Sequence, residues 1–140
     1  MVLKILSFVM KDIIKILKGY FRNKADVLII FMFGSSVKGH LTEDSDIDIA
    51  ILFKELPDLY AINQIRDELS NLIKREVDVV VLNNSSPIIR MQVLKNGVLL
   101  INKNKAIYND FFVRTVKEYD DLKRVRKEIE DDILKGKIYA

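Results

Sequence analysis

The chain has 140 residues, with 23 Lys+Arg, 20 Asp+Glu, one His, and neither Cys nor Trp. That is the length of one domain with a core of its own, and the absence of Cys excludes a disulfide scaffold, a zinc ribbon and a thiol nucleophile. The net charge of +3 is unevenly spread: residues 1–33 hold six Lys/Arg and two Asp/Glu, residues 34–105 nine and ten, and residues 106–140 eight and eight, so no segment has the basic excess of a nucleic-acid arm.

In residues 2–18, Leu3, Leu6, Val9, Met10, Ile13, Ile14 and Leu17 recur at steps of mostly three and four, which predicts an amphipathic helix, with Gly19 as its stop. Lys4, Lys11, Asp12, Lys15 and Lys18 interrupt this stretch, so it does not read as a signal peptide. Val27–Phe33 is a short, wholly apolar run, predicted as a buried strand. It is also the longest such run, far short of the roughly 18 residues that span a membrane. Residues 34–45 are polar, carry two glycines and read as a loop. Asp46–Phe53 is a second strand, Asp58–Lys74 a helix, and Val77–Leu82 a third strand. Ser86-Pro87 has the form of an N-cap followed by Pro at the first helical position, and that helix should stop near Asn96-Gly97. Val98–Ile101 is a fourth strand. Residues 107–134 form a long helix with Phe112, Val116, Tyr119, Leu122, Val125, Ile129 and Ile133 along one stripe. The expectation is a single domain over 1–140, of α/β (α+β) class, with a small mixed β-sheet flanked by helices, a motif core over 27–101 and a C-terminal helix over 107–134.

The chemistry concentrates in two stretches. Asp46 and Asp48 stand two residues apart in a strand, so both carboxylates share one face while Ile47 and Ile49 take the other. Like charges this close raise each other's pKa, and a hard divalent cation such as Mg²⁺ relieves the repulsion. Asp78 interrupts the apolar run Val77–Leu82. A charge there is costly unless it is paired, metal-bound or at an exposed edge. If its strand lies beside the Asp46/Asp48 strand, three carboxylates converge into a candidate two-metal site for displacement at phosphorus. Gly34-Ser35 follows a buried strand, where glycine lets backbone N–H groups approach a phosphate; Ser35 adds a hydroxyl, and Lys38 can reach a triphosphate as a point charge. Each feature alone is commonplace: a turn, an Asx motif, a strand-end acid. Their order and spacing together are not. His40 reads as a surface loop residue.

With Gly34-Ser35, then residues 36–45, then Asp46-Ile47-Asp48, and Asp78 on a later strand, the sequence resembles the polymerase-beta-like nucleotidyltransferase superfamily. It resembles in particular the minimal nucleotidyltransferases, whose hallmark is Gly-Ser, ten residues, then Asp-x-Asp. The resemblance covers residues 33–82. It implies a mixed sheet flanked by helices and transfer of AMP from ATP to an acceptor hydroxyl, with pyrophosphate leaving. It implies two Mg²⁺ held by Asp46 and Asp48 with Asp78 on one of them, Asp78 receiving or orienting the acceptor proton, and Gly34 and Ser35 on the β/γ phosphates. Many relatives carry Arg where this chain has Ser36 and Lys38, so its contacts to the triphosphate differ. Small stand-alone chains of this kind resemble the MntA-type antitoxins that are paired with HEPN toxins and add AMP to a toxin tyrosine. The resemblance thus implies an enzyme whose partner is a HEPN-type toxin, while the composition and the short apolar runs lead to the expectation of a cytoplasmic protein with neither membrane nor nucleic acid as partner. Its oligomeric state stays open. The alternatives are an antitoxin that acts by binding alone and a nucleotidyltransferase acting on a small molecule. For the C-terminal helix, packing on its own sheet is the first expectation and docking to a partner the second.

Overall fold

The computed structural model describes residues 2–34, 37, 42 and 44–136, with side chains from residue 9 onward. The elements in chain order are α1 (Val2–Arg22), β1 (Val27–Phe33), β2 (Ile47–Phe53), α2 (Leu59–Ile73), β3 (Val77–Val81), a 3₁₀ turn (Leu82–Asn84), α3 (Pro87–Asn96), β4 (Val98–Asn102) and α4 (Lys105–Leu134). The strands form one sheet in the order β3-β2-β1-β4. β1 runs antiparallel to both β2 and β4, whereas β2 and β3 are parallel, joined by α2 as the crossover. The expected mixed sheet with flanking helices is therefore the architecture observed.

The helix ends follow local chemistry. Asp58 caps α2 by accepting from the Ala61 amide, and Lys74 closes it in the left-handed conformation at φ 62°. Ser86 caps α3 by accepting from Ile89, with Pro87 at the first position. Asn104 caps α4 through the Ile107 amide, so that helix starts two residues earlier than its apolar spacing predicts. The predicted stop of α1 at Gly19 is wrong: the helix runs on to Arg22. Phe21 is fully buried and Tyr20 donates to Glu68 of α2 at 2.5 Å, so tertiary packing holds the turn that the glycine weakens. Leu82 belongs to the 3₁₀ turn rather than to β3. There Asn83 brackets Phe53, accepting from its N–H at 2.9 Å and donating to its carbonyl at 2.8 Å.

Alternation along the strands divides the core in two. On one face, Ile47, Ile49, Ile51 and Phe53 of β2 pack with Ile13, Leu17 and Phe21 of α1 and with Ile65, Leu69 and Ile73 of α2. On the other, Ala50 and Leu52 pack with Leu82, Val93 of α3 and Phe111 of α4. Asp48 stands in line with Ala50 and Leu52, and Asp78 in line with Val80, so both acids emerge on the α3/α4 face.

The stripe expected along α4 needs correction. The residues that α4 buries are Phe111 and Thr115, whereas Phe112 is 45% exposed. Residues 121–131 are exposed without a break, so the far half of the helix does not pack on the sheet. No helix among the described residues is long and apolar enough to cross a membrane.

Candidate active site

Three strands meet at the site. The parallel register of β2 and β3 sets Asp48 directly beside Asp78, and the antiparallel register of β1 and β2 sets Phe33 beside Asp48. The chain leaves β1 through Gly34, whose φ of +83° suits glycine. A Cβ at Gly34 would overlap Asp48 Oδ2 and lie 3.1 Å from its Cγ. The glycine therefore has two duties: it takes a left-handed turn, and it leaves the space that the Asp48 carboxylate fills.

Asp46 lies just ahead of β2 rather than within it, and it is exposed. Asp78 is also exposed, because β3 is an edge strand. Of the three conditions that spare Asp78 a burial cost, the exposed edge is the one met, and the carboxyl under stress is Asp48. Burial raises its pKa above the ordinary carboxylate value, and the charges of Asp78 and then Asp46 raise it further. Among the described residues none of the three carboxylates has an ion-pair partner. Nor, among those residues, do any three His, Cys, Asp or Glu side chains stand close enough together to hold a metal ion. The donor set nonetheless fits a hard divalent ion. Among the described residues it offers carboxylate oxygens only, has no ion-paired member, and has two of three members open to solvent. Ser35, Ser36, Lys38 and His40 lie outside the described residues.

One contributor escapes sequence reasoning. Arg75, in the turn that leads into β3, donates through Nη1 to the carbonyls of Thr42 at 2.5 Å and Ser45 at 3.1 Å. Those two residues close a small turn of their own. The Thr42 N–H donates to Ser45 Oγ at 2.7 Å, and the Ser45 N–H donates to the Thr42 carbonyl at 3.2 Å. The Ile47 N–H adds a bond to the Glu76 carbonyl at 2.9 Å. The segment presenting Asp46 is thereby tied to the strand start that presents Asp78. The partners of Arg75 are backbone atoms some thirty positions away, and backbone atoms leave no mark in a sequence.

A sheet edge that gathers two neighbouring carboxylates, a third just upstream and a glycine turn suits phosphoryl chemistry. Comparison with known proteins agrees. Residues 14–106 match the model of the family described as polymerase beta, nucleotidyltransferase. The chain belongs to this family. It is 32% identical over 122 residues to the protein adenylyltransferase MntA of Shewanella oneidensis, covering 86% of each chain. It is 35% identical over 81 residues to the protein adenylyltransferase MntA of Thermococcus cleftensis, covering 58% of this chain and 82% of that one. Among solved structures it resembles a chain of a toxin–antitoxin complex with AMP-PNP, with a TM-score of 0.72 and 31% identity, over 86% of this chain and 96% of that one. It also resembles a chain from the complex of tri-AMPylated Shewanella oneidensis HEPN toxin with its MNT antitoxin. There the TM-score is 0.69 and the identity 28%, over 90% of this chain and 98% of that one.

Proposed function

We propose that this protein is a protein adenylyltransferase that moves AMP from ATP to a tyrosine hydroxyl of a HEPN-type toxin in the cytoplasm and so acts as its antitoxin. The observation that carries the reading is the register that sets Asp48 beside Asp78, with Gly34 making room for the Asp48 carboxylate. Likeness over most of the chain to a named protein adenylyltransferase supports it.

In the reaction, the acceptor oxygen forms a bond to the α-phosphorus of ATP. The bond from that phosphorus to the bridging oxygen breaks, and pyrophosphate leaves with the electron pair. The acceptor proton passes to a carboxylate, for which Asp78 is the candidate: it is exposed, open to a bulky acceptor, and one strand from Asp48. Asp46 and Asp48 would hold two Mg²⁺ ions, with Asp78 on one of them. Bound Mg²⁺ would supply charge neutralisation at the phosphates and at the three carboxylates. Gly34 turns the chain so that the backbone after β1 can cradle the β/γ phosphates, with Ser35, Ser36 and Lys38 as further contacts.

Intact-mass spectrometry of a HEPN toxin mixed with the protein, ATP and Mg²⁺ tests this. The expected result is a gain of one or more AMP masses on the toxin. The Asp46→Asn/Asp48→Asn chain should give no gain while melting no lower than the wild type, since substitution relieves repulsion at Asp48. A toxin neutralised in a stable complex without any mass gain would overturn the enzymatic reading in favour of binding alone. A nucleotidylated small product would point to the other alternative.

A further inference from the structure

The far half of α4 is exposed, yet it is built like a buried helix. Leu122, Val125, Ile129 and Ile133 are 36%, 52%, 48% and 43% exposed. At 3.6 residues per turn they continue the face that Phe111 and Thr115 bury nearer the start of the helix. α3 accompanies this face only as far as Ile88, which lines a groove with Tyr119, Leu122 and Arg126. Beyond it, about 15 Å of helix carries an apolar seam that no described residue covers.

The charges around the seam run in blocks: Lys123, Arg124, Arg126 and Lys127, then Glu128, Glu130, Asp131 and Asp132. For a helix on its own this order is unfavourable. It puts acids at the negative end of the macrodipole and bases N-terminal to acids at i+4, the weaker orientation. Among the described residues, Arg126, Lys127, Glu128, Glu130, Asp131 and Asp132 join no ion pair.

A second helix with the same sequence, running the opposite way, sets the basic block of each copy along the acidic block of the other. We infer that the exposed half of α4 is a self-association surface on which two copies of this chain pair antiparallel about a twofold axis near residue 127. In that register Val125 of each copy meets Ile129 of the other. On one edge Lys123 meets Glu130 of the second copy, and the two Arg126 side chains stand nearest the axis between these pairs. On the other, Arg124 meets Asp131 of the second copy, and the two Glu128 side chains stand nearest the axis. A parallel pair would instead set the two basic blocks, and the two acidic blocks, side by side. Each copy contributes one short apolar seam, so the interface belongs to the small, dissociable class. The inference is independent of nucleotidyl transfer, because its readout is mass.

Sedimentation velocity over a concentration series reaching the millimolar range is the test. The full chain should pass from monomer to dimer, and added salt should shift the transition to higher concentration. Ile129→Asp should remain monomeric while keeping the wild-type thermal melt. The Arg124→Glu/Arg126→Glu chain and the Glu128→Lys/Glu130→Lys chain should each be monomeric alone and form a dimer when mixed. The chain has no cysteine, so an introduced thiol is unique. A short bismaleimide should join Arg126→Cys across the axis and leave Leu122→Cys unjoined. A wild-type chain monomeric throughout, a dimer that survives Ile129→Asp, or joining at Leu122→Cys would overturn the inference. So would a monomer in which Ile129→Asp instead abolishes toxin binding, since the seam would then belong to the toxin.

Discussion

The two sides of β2 differ at every step. Its odd-numbered residues, Ile47 to Phe53, enter a continuous core between the sheet and the first two helices. Its even-numbered residues begin with Asp48 and only then become Ala50 and Leu52 under α3 and α4. One strand thus supplies the best-packed layer of the molecule and its most stressed carboxyl, on opposite faces of the same peptide plane. The difference teaches how the cost of the acids is met. The core face fixes the register, and the register holds Asp48 against Asp78 despite their repulsion.

That contrast can be broken from either side. The largest expected effect on stability comes from the core face. Ile49 is fully buried, and Ile49→Ala should cost about 2–5 kcal/mol in urea unfolding. Gly34→Ala acts from the acid face. A left-handed backbone strains an alanine by about 1–3 kcal/mol. The new Cβ also displaces the Asp48 carboxylate, so AMP transfer should fall by about a hundredfold in a chain that still folds, as read by mass spectrometry beside circular dichroism. Arg75→Ala should lower transfer by about tenfold, equivalent to about 1.4 kcal/mol, with little change in the melt, because its partners lie in a surface turn. Lysine at this position keeps a donor and should recover part of the loss.

The smallest effect lies far from the acids. Tyr20 lends its hydroxyl to Glu68, which lowers the Glu68 pKa, while burial and Glu68 push the Tyr20 pKa up. A lowered carboxyl contributes stability above its unfolded value, about 4.3, and loses it as pH falls through the folded value. A raised phenol contributes below its unfolded value, about 10, and loses that as pH rises toward the folded one. Tyr20→Phe should therefore lower the melting temperature slightly between those limits, with the two melting curves converging at acid pH.

Much of this arrangement was legible in the sequence, and the reasons are local. Alternation in β2, the Ser86-Pro87 cap and the stop at Gly97 are properties of neighbouring residues, and each falls where expected. So does the Gly34 turn ahead of the acids. What could not be read depends on distant partners. Gly19 does not stop α1, because Phe21 and Glu68 hold the turn from elsewhere in the fold. The parallel register that sets Asp48 beside Asp78 is a property of two strands together, and the sequence raised that adjacency only as a condition. The role of Arg75 is invisible because it acts on carbonyls. Along α4 the period was right, but the stripe began on Phe112 where Phe111 is the buried aromatic, and its far half is exposed rather than packed on the sheet.

The position of β3 has one more consequence. It ends the sheet, so among the described residues its outer N–H and C=O groups lack a neighbouring strand, and Val77, Val79, Val80 and Val81 make it rich in β-forming residues. Such an edge invites a strand from another molecule to add to it. Asp78, exposed in the middle of those valines, and Glu76 just ahead of them make that addition unfavourable. The acid proposed to serve the reaction therefore also acts as a gatekeeper of solubility. Replacing it with valine would remove the proposed proton acceptor and open the sheet to aggregation at the same time.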